Sequence, residues 1–347
     1  MSSFFKKLNT AILQNIPFVL FSKPNEDFVY LYVQDNSESQ RFLFHSFDSE
    51  VKRSIADKNP FRLPISEFEF EMQLKLKKTQ KTNSVQQEAY RDLIQKTLDF
   101  IQNSTISKIV MSRLKVIENE GFDLFKTFRN LMYQHPSALV FLWHFPEKET
   151  WIGATPELLL SQIGNRVETV SLAATKLPES QWSPKEYEEQ QIVTDFILDC
   201  FSEIQKLKVI GPKTVQAGKF QHLKTYISGE IPSDFRISTL LEKLHPTPAL
   251  CGMPKKEAFD FIVRNEFHSR EFYGGYIGLE KQDSKEYYVN LRSAQVFENE
   301  IWMYVGGGIT AESQPENEWL ETELKSGTIG NALEKSSSIK VVPPETQ

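Results

Sequence analysis

The sequence has no hydrophobic run long enough to cross a membrane. No apolar stretch approaches the length of about 18 residues that a membrane-spanning helix needs. Only two cysteines are present, Cys200 and Cys251, and no CxxC pair occurs. This cysteine usage indicates neither a disulfide framework nor a thiolate metal site. Because no signal-peptide pattern is present either, we expect a protein of the reducing cytoplasm with no membrane partner.

An excess of positive charge is also missing. The 40 lysines and arginines are outnumbered by 46 aspartates and glutamates, which gives a net charge of −6. A chain of this charge has no general attraction for nucleic acid, so we expect no nucleic-acid partner. The sequence contains no GxxxxGK[ST], GxGxxG, HExxH or GxSxG motif, and its six histidines lack the spacing of zinc ligands. An anionic ligand would therefore have to be held by local cations or by a metal.

Apolar residues recur with two periods, so both strands and helices are predicted. Phe68 to Lys77 alternates apolar and polar residues, which is typical of a half-buried strand, whereas the polar stretch 49–66 is predicted to be a loop. The other strands are predicted at 18–22, 27–34, 41–47, 107–117, 138–145, 170–175, 221–228, 272–279, 287–297 and 300–306. Helices are predicted at 2–16, 122–134, 240–244, 255–263 and 315–333, with two more beginning at Ser84 and Ser183. We therefore predict an α+β (mixed α/β) domain dominated by antiparallel sheet.

The stretch from Gly306 to Lys325 carries the densest cluster of chemically useful groups. Three adjacent glycines are predicted to form a turn in which no Cβ blocks a ligand's approach to backbone N–H groups. Ser313 and Glu316 match a capping box, which predicts the start of a helix. Glu318, Glu321 and Lys325 then share one face of that helix. Such a face can hold a metal and an anion, but it is also typical of a solvated helix with favourable Glu–Lys pairs.

A second acidic face is predicted at the helix that begins at Ser183. Ser183, Pro184 and Glu186 form a clear helix start, and Glu186 and Glu189 lie three residues apart on one face. Two such faces can share a hard cation such as Mg²⁺, which prefers carboxylate and water oxygens. The alternative is that these acids only complement the helix dipole, which favours negative charge at helix N-termini.

Nine segments of the chain, in this order, resemble the sequence blocks of the chorismate-utilising enzymes. They are SKIVMSR (107–113), GATPELLL (153–160), SLAATK (171–176), KEYEEQ (185–190), QHLKT (221–225), LHPTPALCGMP (244–254), REFYGGYIG (270–278), NLRSA (290–294) and GGGI…PENEWLETELK (306–325). This family includes the isochorismate, salicylate, anthranilate and aminodeoxychorismate synthases. The resemblance implies a chorismate-binding fold of two packed, largely antiparallel sheets with outer helices. Residues 1–90 correspond to a variable N-terminal part of the same domain, 91–334 to the catalytic core and 335–347 to a polar tail.

The resemblance also implies the catalytic pair. Lys108 matches the lysine that serves as general base toward water in the isochorismate and salicylate synthases, and Glu157 matches the family's general acid. A glutamate acting as an acid near neutral pH needs a raised pKa. The amine-transferring relatives differ from this chain at the position of Lys108. The aminodeoxychorismate synthases also carry a nucleophilic lysine where this chain has Ala173, so the resemblance does not imply their chemistry.

The resemblance further implies how substrate and metal are held. Glu189 and Glu321 would bind Mg²⁺ directly, whereas Glu186 and Glu318 would act through waters. Substrate-binding positions match Thr175, His222, Tyr273, Arg292, Gly306, Gly308 and Lys325.

Taken together, the resemblance implies a Mg²⁺-dependent isochorismate synthase that acts on chorismate, and we expect a monomer. A salicylate synthase, an anthranilate-type synthase and a non-catalytic chorismate-binding homologue are the alternatives. The product of an isochorismate synthase feeds menaquinone, siderophore or salicylate synthesis, and we expect the menaquinone pathway.

Overall fold

The computed structural model describes residues 2–35, 37, 40–176, 181–217 and 220–335. Nearly all of the predicted polar tail lies outside the described residues. Within the described part, the chain forms two large sheets and seven α-helices. None of these helices is long and apolar enough to cross a membrane.

The elements are numbered in chain order. The helices are α1 (Ser3–Leu13), α2 (Gln87–Gln102), α3 (Leu124–Gln134), α4 (Pro184–Cys200), α5 (Ile237–Leu244), α6 (Lys255–Asn265) and α7 (Pro315–Gly330). The strands are β1 (Phe18–Ser22), β2 (Phe28–Val33), β3 (Arg41–His45), β4 (Lys52–Ala56), β5 (Phe61–Pro64), β6 (Lys108–Glu118), β7 (Leu139–Phe145), β8 (Glu149–Thr155), β9 (Leu158–Ile163), β10 (Arg166–Lys176), β11 (Gln205–Ala217), β12 (Phe220–Glu230), β13 (Gly252–Met253), β14 (Tyr276–Glu280), β15 (Ser284–Val289), β16 (Ser293–Val296) and β17 (Glu300–Ile309).

Each sheet combines strands from both ends of the chain. The nine-stranded sheet has the order β13-β6-β17-β16-β8-β7-β1-β2-β5, and the eight-stranded sheet has the order β11-β12-β10-β9-β15-β14-β3-β4. The paired strands in both sheets run antiparallel. The predicted α+β class, dominated by antiparallel sheet, is therefore confirmed.

Aromatic side chains fill the space between the two sheets. Phe44 of β3 stacks on Phe272 with ring centroids 4.3 Å apart, and Trp151 of β8 packs edge-on against both rings. All three side chains are almost fully buried. Burying a side chain of this size stabilises the fold by about 1.5–3 kcal/mol, so this aromatic layer holds the sandwich together.

Helices cover the outer faces of both sheets, as the resemblance implies. The helices α1 and α3 contribute to a core on the nine-stranded sheet, and α4 and α5 contribute to one on the eight-stranded sheet. A further core joins α2 and α6 to β6. The predicted apolar face of α2 is confirmed, since Ile94, Leu98 and Ile101 are buried.

The N-terminal third shows where local patterns mispredicted the structure. Residues 68–77 alternate between partly or fully buried and exposed side chains, as predicted, but they form no strand. Phe70 of this segment packs against Phe5 of α1 and Phe125 of α3 instead. The predicted loop at 49–66 contains β4 and β5, which pair with β3 and β2. The long strand β11 had not been predicted, and residues 205–214 of this strand are exposed on both faces.

Of the capping boxes, only that of α4 is confirmed. The Glu186 carboxylate accepts hydrogen bonds from the backbone N–H (2.7 Å) and the hydroxyl of Ser183. The prediction at Ser84 was wrong, because its hydroxyl bonds to the backbone of Val116 on β6. The box at Ser313 was also wrong, because α7 begins one residue later than such a cap requires, after Gln314.

Candidate active site

Gly306, Gly307 and Gly308 are part of strand β17 and do not form the predicted turn. They pair with Ser112, Met111 and Val110 of β6, while the pairing of β17 with β16 stops at Met303. One edge of the glycine segment is therefore open. A Cβ on Gly307 would lie 2.8 Å from Glu318 Oε2, and one on Gly308 would lie 2.5 Å from Lys108 Cε. Glycine is needed at these two positions because the side chains of Glu318 and Lys108 lie so close to the strand backbone.

The helix α7 brings two carboxylates and an ammonium to this strand. Glu318 is almost buried, and its Oε2 atom has no hydrogen-bond partner. Burial raises the pKa of Glu318, and the nearby charge of Glu321 raises it further. Lys325 lies 2.6 Å from Glu321 Oε1 and donates a hydrogen bond of 2.8 Å to the carbonyl of Gly306. The predicted shared face of α7 thus lies against the glycine strand.

Lys108 joins this cluster from β6, and Glu189 joins it from α4. The Lys108 ammonium lies 3.6 Å from Glu189 Oε1, and its side chain is 19% exposed. Glu186, one turn earlier in α4, directs a carboxylate oxygen back to Ser183. The structure therefore brings Glu189, Glu318 and Glu321 near the glycine strand, whereas Glu186 caps its own helix.

Glu157 lies at the connection between β8 and β9. Its carbonyl accepts a hydrogen bond of 3.0 Å from the Val289 amide, which ties the connection to β15. Burial raises the pKa of the Glu157 carboxyl, while the positive charges of Lys108, Arg292 and Lys325 oppose the rise. These four side chains therefore share one electrostatic environment. A raised pKa is what the predicted general acid requires.

Two further predicted substrate residues border this environment. Arg292 has a φ of 51°, a left-handed conformation that an arginine rarely adopts and that commonly marks functional sites. Tyr273 is buried, and its ring stacks on Tyr304 at 5.6 Å. Burial raises the pKa of Tyr273 to about 12, so its phenol stays protonated and can donate a hydrogen bond.

Thr175 and His222 face each other across the β10–β12 pair. The register shifts between Ala173 and Thr175, which indicates a β-bulge at this point. The side chain of Thr175 lies outside the described residues. The His222 side chain is partly buried and has an interaction partner.

The carboxylates of Glu318 and Glu321 are the type of ligand that binds magnesium, although they do not by themselves form a complete coordination shell. Within the described residues, no three His, Cys, Asp or Glu side chains are grouped tightly enough to hold a metal as they stand. The buried, unpartnered Oε2 of Glu318 lies next to Glu321 over Gly307. Oxygen ligands of this kind are those that Mg²⁺ prefers, and it keeps several waters when only a few carboxylates bind it.

Sequence reasoning missed the residue that fixes α7 on the sheet. Arg113 of β6 is 1% exposed, and its guanidinium lies 3.7 Å from the centre of the Trp319 ring. It donates a 2.8 Å hydrogen bond to Thr322 and forms an ion pair with Glu323. A lone arginine in a strand has no local signal for this role.

Gln190 fixes α4 in a similar way. It is buried, accepts a hydrogen bond from the Ala173 amide and donates one to the Ser171 hydroxyl at 2.7 Å. Because it follows Glu189 directly, this anchoring holds Glu189 in place beside Lys108.

The chain belongs to the chorismate-binding enzymes. The model of the family described as chorismate binding enzyme matches residues 44–334, which include every candidate site residue. This confirms the resemblance on which the site residues had been chosen.

Individual relatives carry more specific names. The chain is 28% identical over 264 residues to isochorismate synthase EntC of Escherichia coli K12, covering 72% of this chain and 68% of that protein. It is 31% identical over 272 residues to the chloroplastic isochorismate synthase 2 of Arabidopsis thaliana, covering 73% of this chain but only 48% of the plant protein. The solved structure of MenF, the menaquinone-specific isochorismate synthase from Escherichia coli, superposes with a TM-score of 0.80 at 19% identity. That match covers 92% of this chain and 89% of MenF, and it confirms the two-sheet fold.

The glycine strand generates a prediction about Lys108. In Gly308→Ala, the new methyl group would overlap Lys108 Cε and push the flexible lysine side chain aside. We expect chorismate turnover to fall by about 100-fold, since a displacement of about 1 Å has such effects in enzymes, while the melting temperature changes little. Gly330→Ala is the control, because a methyl group there meets open space. Unchanged turnover in Gly308→Ala would show that the position of Lys108 does not matter.

Proposed function

We propose that this protein is an isochorismate synthase. The observation that carries the proposal is the position of Lys108, which lies against the glycine strand at Gly308 and close enough to Glu157 for its charge to oppose the rise in the pKa of that carboxyl. The names of EntC, MenF and the plant relative support it.

The proposed reaction adds one water and releases one water. The Lys108 amine takes a proton from a water molecule, and the oxygen of this water forms a bond to C2 of the chorismate ring. The electrons of the ring diene move toward C4, where the bond to the hydroxyl breaks. Glu157 gives its proton to the departing hydroxyl, which leaves as water. The atoms therefore balance without an oxidant or a second substrate.

The charges around the glycine strand suit a substrate with two carboxylates. Arg292 and Lys325 supply cations at the site, and the protonated phenol of Tyr273 supplies a neutral donor. Backbone groups on the open edge of Gly306 to Gly308 can approach the ligand closely because they carry no side chains. These groups would fix the ring between the base and the acid.

We further propose that Mg²⁺ is the cofactor. Glu318 and Glu321 of α7 would hold it, with Glu189 of α4 on the opposite side. When bound, Mg²⁺ would neutralise the ring carboxylate and withdraw electrons from the ring. The unpartnered buried oxygen of Glu318 supports this assignment.

The pathway that we propose is menaquinone synthesis, with the MenF relatives as the support. MenF of Bacillus subtilis is 30% identical to this chain over 251 residues. Restoring menaquinone to a bacterial strain that lacks its own isochorismate synthase tests this assignment. No rescue in a strain that produces the folded protein would contradict it.

The first prediction of this function concerns the products. Chorismate incubated with the protein and Mg²⁺ should yield isochorismate, resolved by chromatography, without free pyruvate. Salicylate together with pyruvate would identify a salicylate synthase instead. A product that requires ammonia would identify an anthranilate-type synthase. If chorismate is not turned over at all, the protein is a non-catalytic chorismate-binding homologue.

A second prediction concerns the metal. Turnover should stop in EDTA and return with added Mg²⁺. Glu318→Gln keeps the shape of the side chain but removes its charge, so we expect about 10- to 100-fold more Mg²⁺ to be needed for half-maximal activity. Glu316→Gln serves as the control, since Glu316 pairs with Arg91 on the outside of the same helix turn. Equal Mg²⁺ requirements in the two variants would remove Glu318 from the metal site.

A third prediction separates the base from the acid. Lys108→Arg keeps a positive charge beside Glu189 but cannot lose a proton near neutral pH, so turnover should fall about 100- to 10,000-fold. Glu157→Gln should cause a similar loss, whereas Glu168→Gln, which changes an exposed glutamate of β10, should not.

The wild-type pH profile provides an independent check on the acid. Glu157 donates a proton only while it is protonated, so kcat/KM should decline as the pH rises through its pKa. Because burial raises that pKa, the decline should occur above the range of an ordinary glutamate. A wild-type activity that persists unchanged to high pH would argue against Glu157 as the acid.

A further inference from the structure

A second cavity lies on the outer face of the eight-stranded sheet, beneath the start of α5. Its volume is about 500 Å³, within the range of small-molecule sites. None of its lining residues belongs to the candidate active site. We call it the outer groove and define it by Arg41, Lys52, Arg236, Tyr276, Glu280, Lys285 and Tyr287, which line it together with apolar residues.

The strand register explains how the groove forms. At its centre, Gly278 of β14 pairs with Leu43 of β3 on one side and Tyr287 of β15 on the other. Gly278 has no side chain, and the Tyr287 ring and the Leu43 side chain fill the space where its Cβ would lie. The Tyr276 ring stacks on His45 at 4.4 Å beside them. Both tyrosine rings are buried, so they close the floor of the groove and leave its rim to charged side chains.

Cations surround this floor. Arg41, Glu280 and Lys285 form one row across three neighbouring strands. Lys52 pairs with His45, which lies four residues further along β3 than Arg41. Lys52 is therefore roughly 13 Å from that row along the strands. Glu280 is held by Arg41 at 2.8 Å and by the Tyr287 hydroxyl at 2.6 Å. Its charge is thus neutralised within the groove.

Three cations of the groove remain without a counter-charge. Lys52, Lys285 and Arg236 form no ion pair with any carboxylate in the described part of the chain. This local excess is opposite in sign to the net charge of −6 of the whole protein. Unpaired cations from three separate elements that line one cavity favour an anionic ligand.

Backbone donors at the start of α5 add to the positive field. The helix begins after Arg236 without a side-chain cap, and the N–H groups of Ile237 and Ser238 have no acceptor among the described residues. A helix N-terminus carries a partial positive charge of about half a unit.

We propose that the outer groove binds a small dianion, at a site separate from the active site. Cations on opposite sides of the groove would bind the two negative groups. The free N–H groups at the start of α5 would provide further donors to one of the negative groups.

Benzene-1,3-dicarboxylate is a suitable probe, and its binding to the full chain can be measured by isothermal titration calorimetry. The groove variant combines Arg236→Ala with Lys285→Ala. Lys281→Ala is the matched control, because Lys281 lies in the same β14–β15 hairpin but outside the groove. Arg292→Ala removes a cation from the active site, so that binding there can be told apart from binding in the groove.

We expect the probe to bind to the wild type, to Lys281→Ala and to Arg292→Ala. The groove variant should bind at least about tenfold more weakly, because it loses two charged donors. Its chorismate turnover should match the wild type, which also shows that it is folded. The proposal is overturned if the wild type binds no probe, or if Arg292→Ala abolishes binding while the groove variant retains it.

Discussion

The close approach of three elements at Gly306, Gly307 and Gly308 is the constraint on which the rest of the site depends. Lys108 from β6 and Glu318 from α7 occupy the space where the Cβ atoms of Gly308 and Gly307 would lie. The strand remains paired with β6 throughout, so the glycines keep their place in the sheet while exposing their backbone. Any side chain here would separate the groups that must act together.

The charges assembled at this point offset one another only in part. Burial raises the pKa of both Glu157 and Glu318, while lysines and Arg292 act in the opposite direction. Lys325 is shared between Glu321 and the Gly306 carbonyl. Charges in a partly buried cluster interact more strongly than they would in water. A metal and a dicarboxylate substrate would complete the balance that these side chains begin.

The chemical groups rest on a supporting layer that performs no chemistry itself. Arg113 joins β6 to α7 through Trp319 and Thr322, and Gln190 joins α4 to the strand that carries Thr175. Catalytic groups have to be held to within a fraction of an ångström, so such contacts matter as much as the reacting residues. None of the residues that line the outer groove takes part in the active-site cluster.

Local patterns in the sequence were sufficient for features that depend on neighbours along the chain. The apolar face of α2, the start of α4 at Ser183 and the shared face of Glu318, Glu321 and Lys325 follow from helical spacing, and the family resemblance supplied the role of each site residue. Tertiary structure alone decided which distant segments meet. It kept residues 68–77 out of both sheets and placed the three glycines inside a strand. The periodicity of apolar residues shows which face of a helix or strand is apolar. Which other element packs against that face depends on tertiary packing of the whole chain.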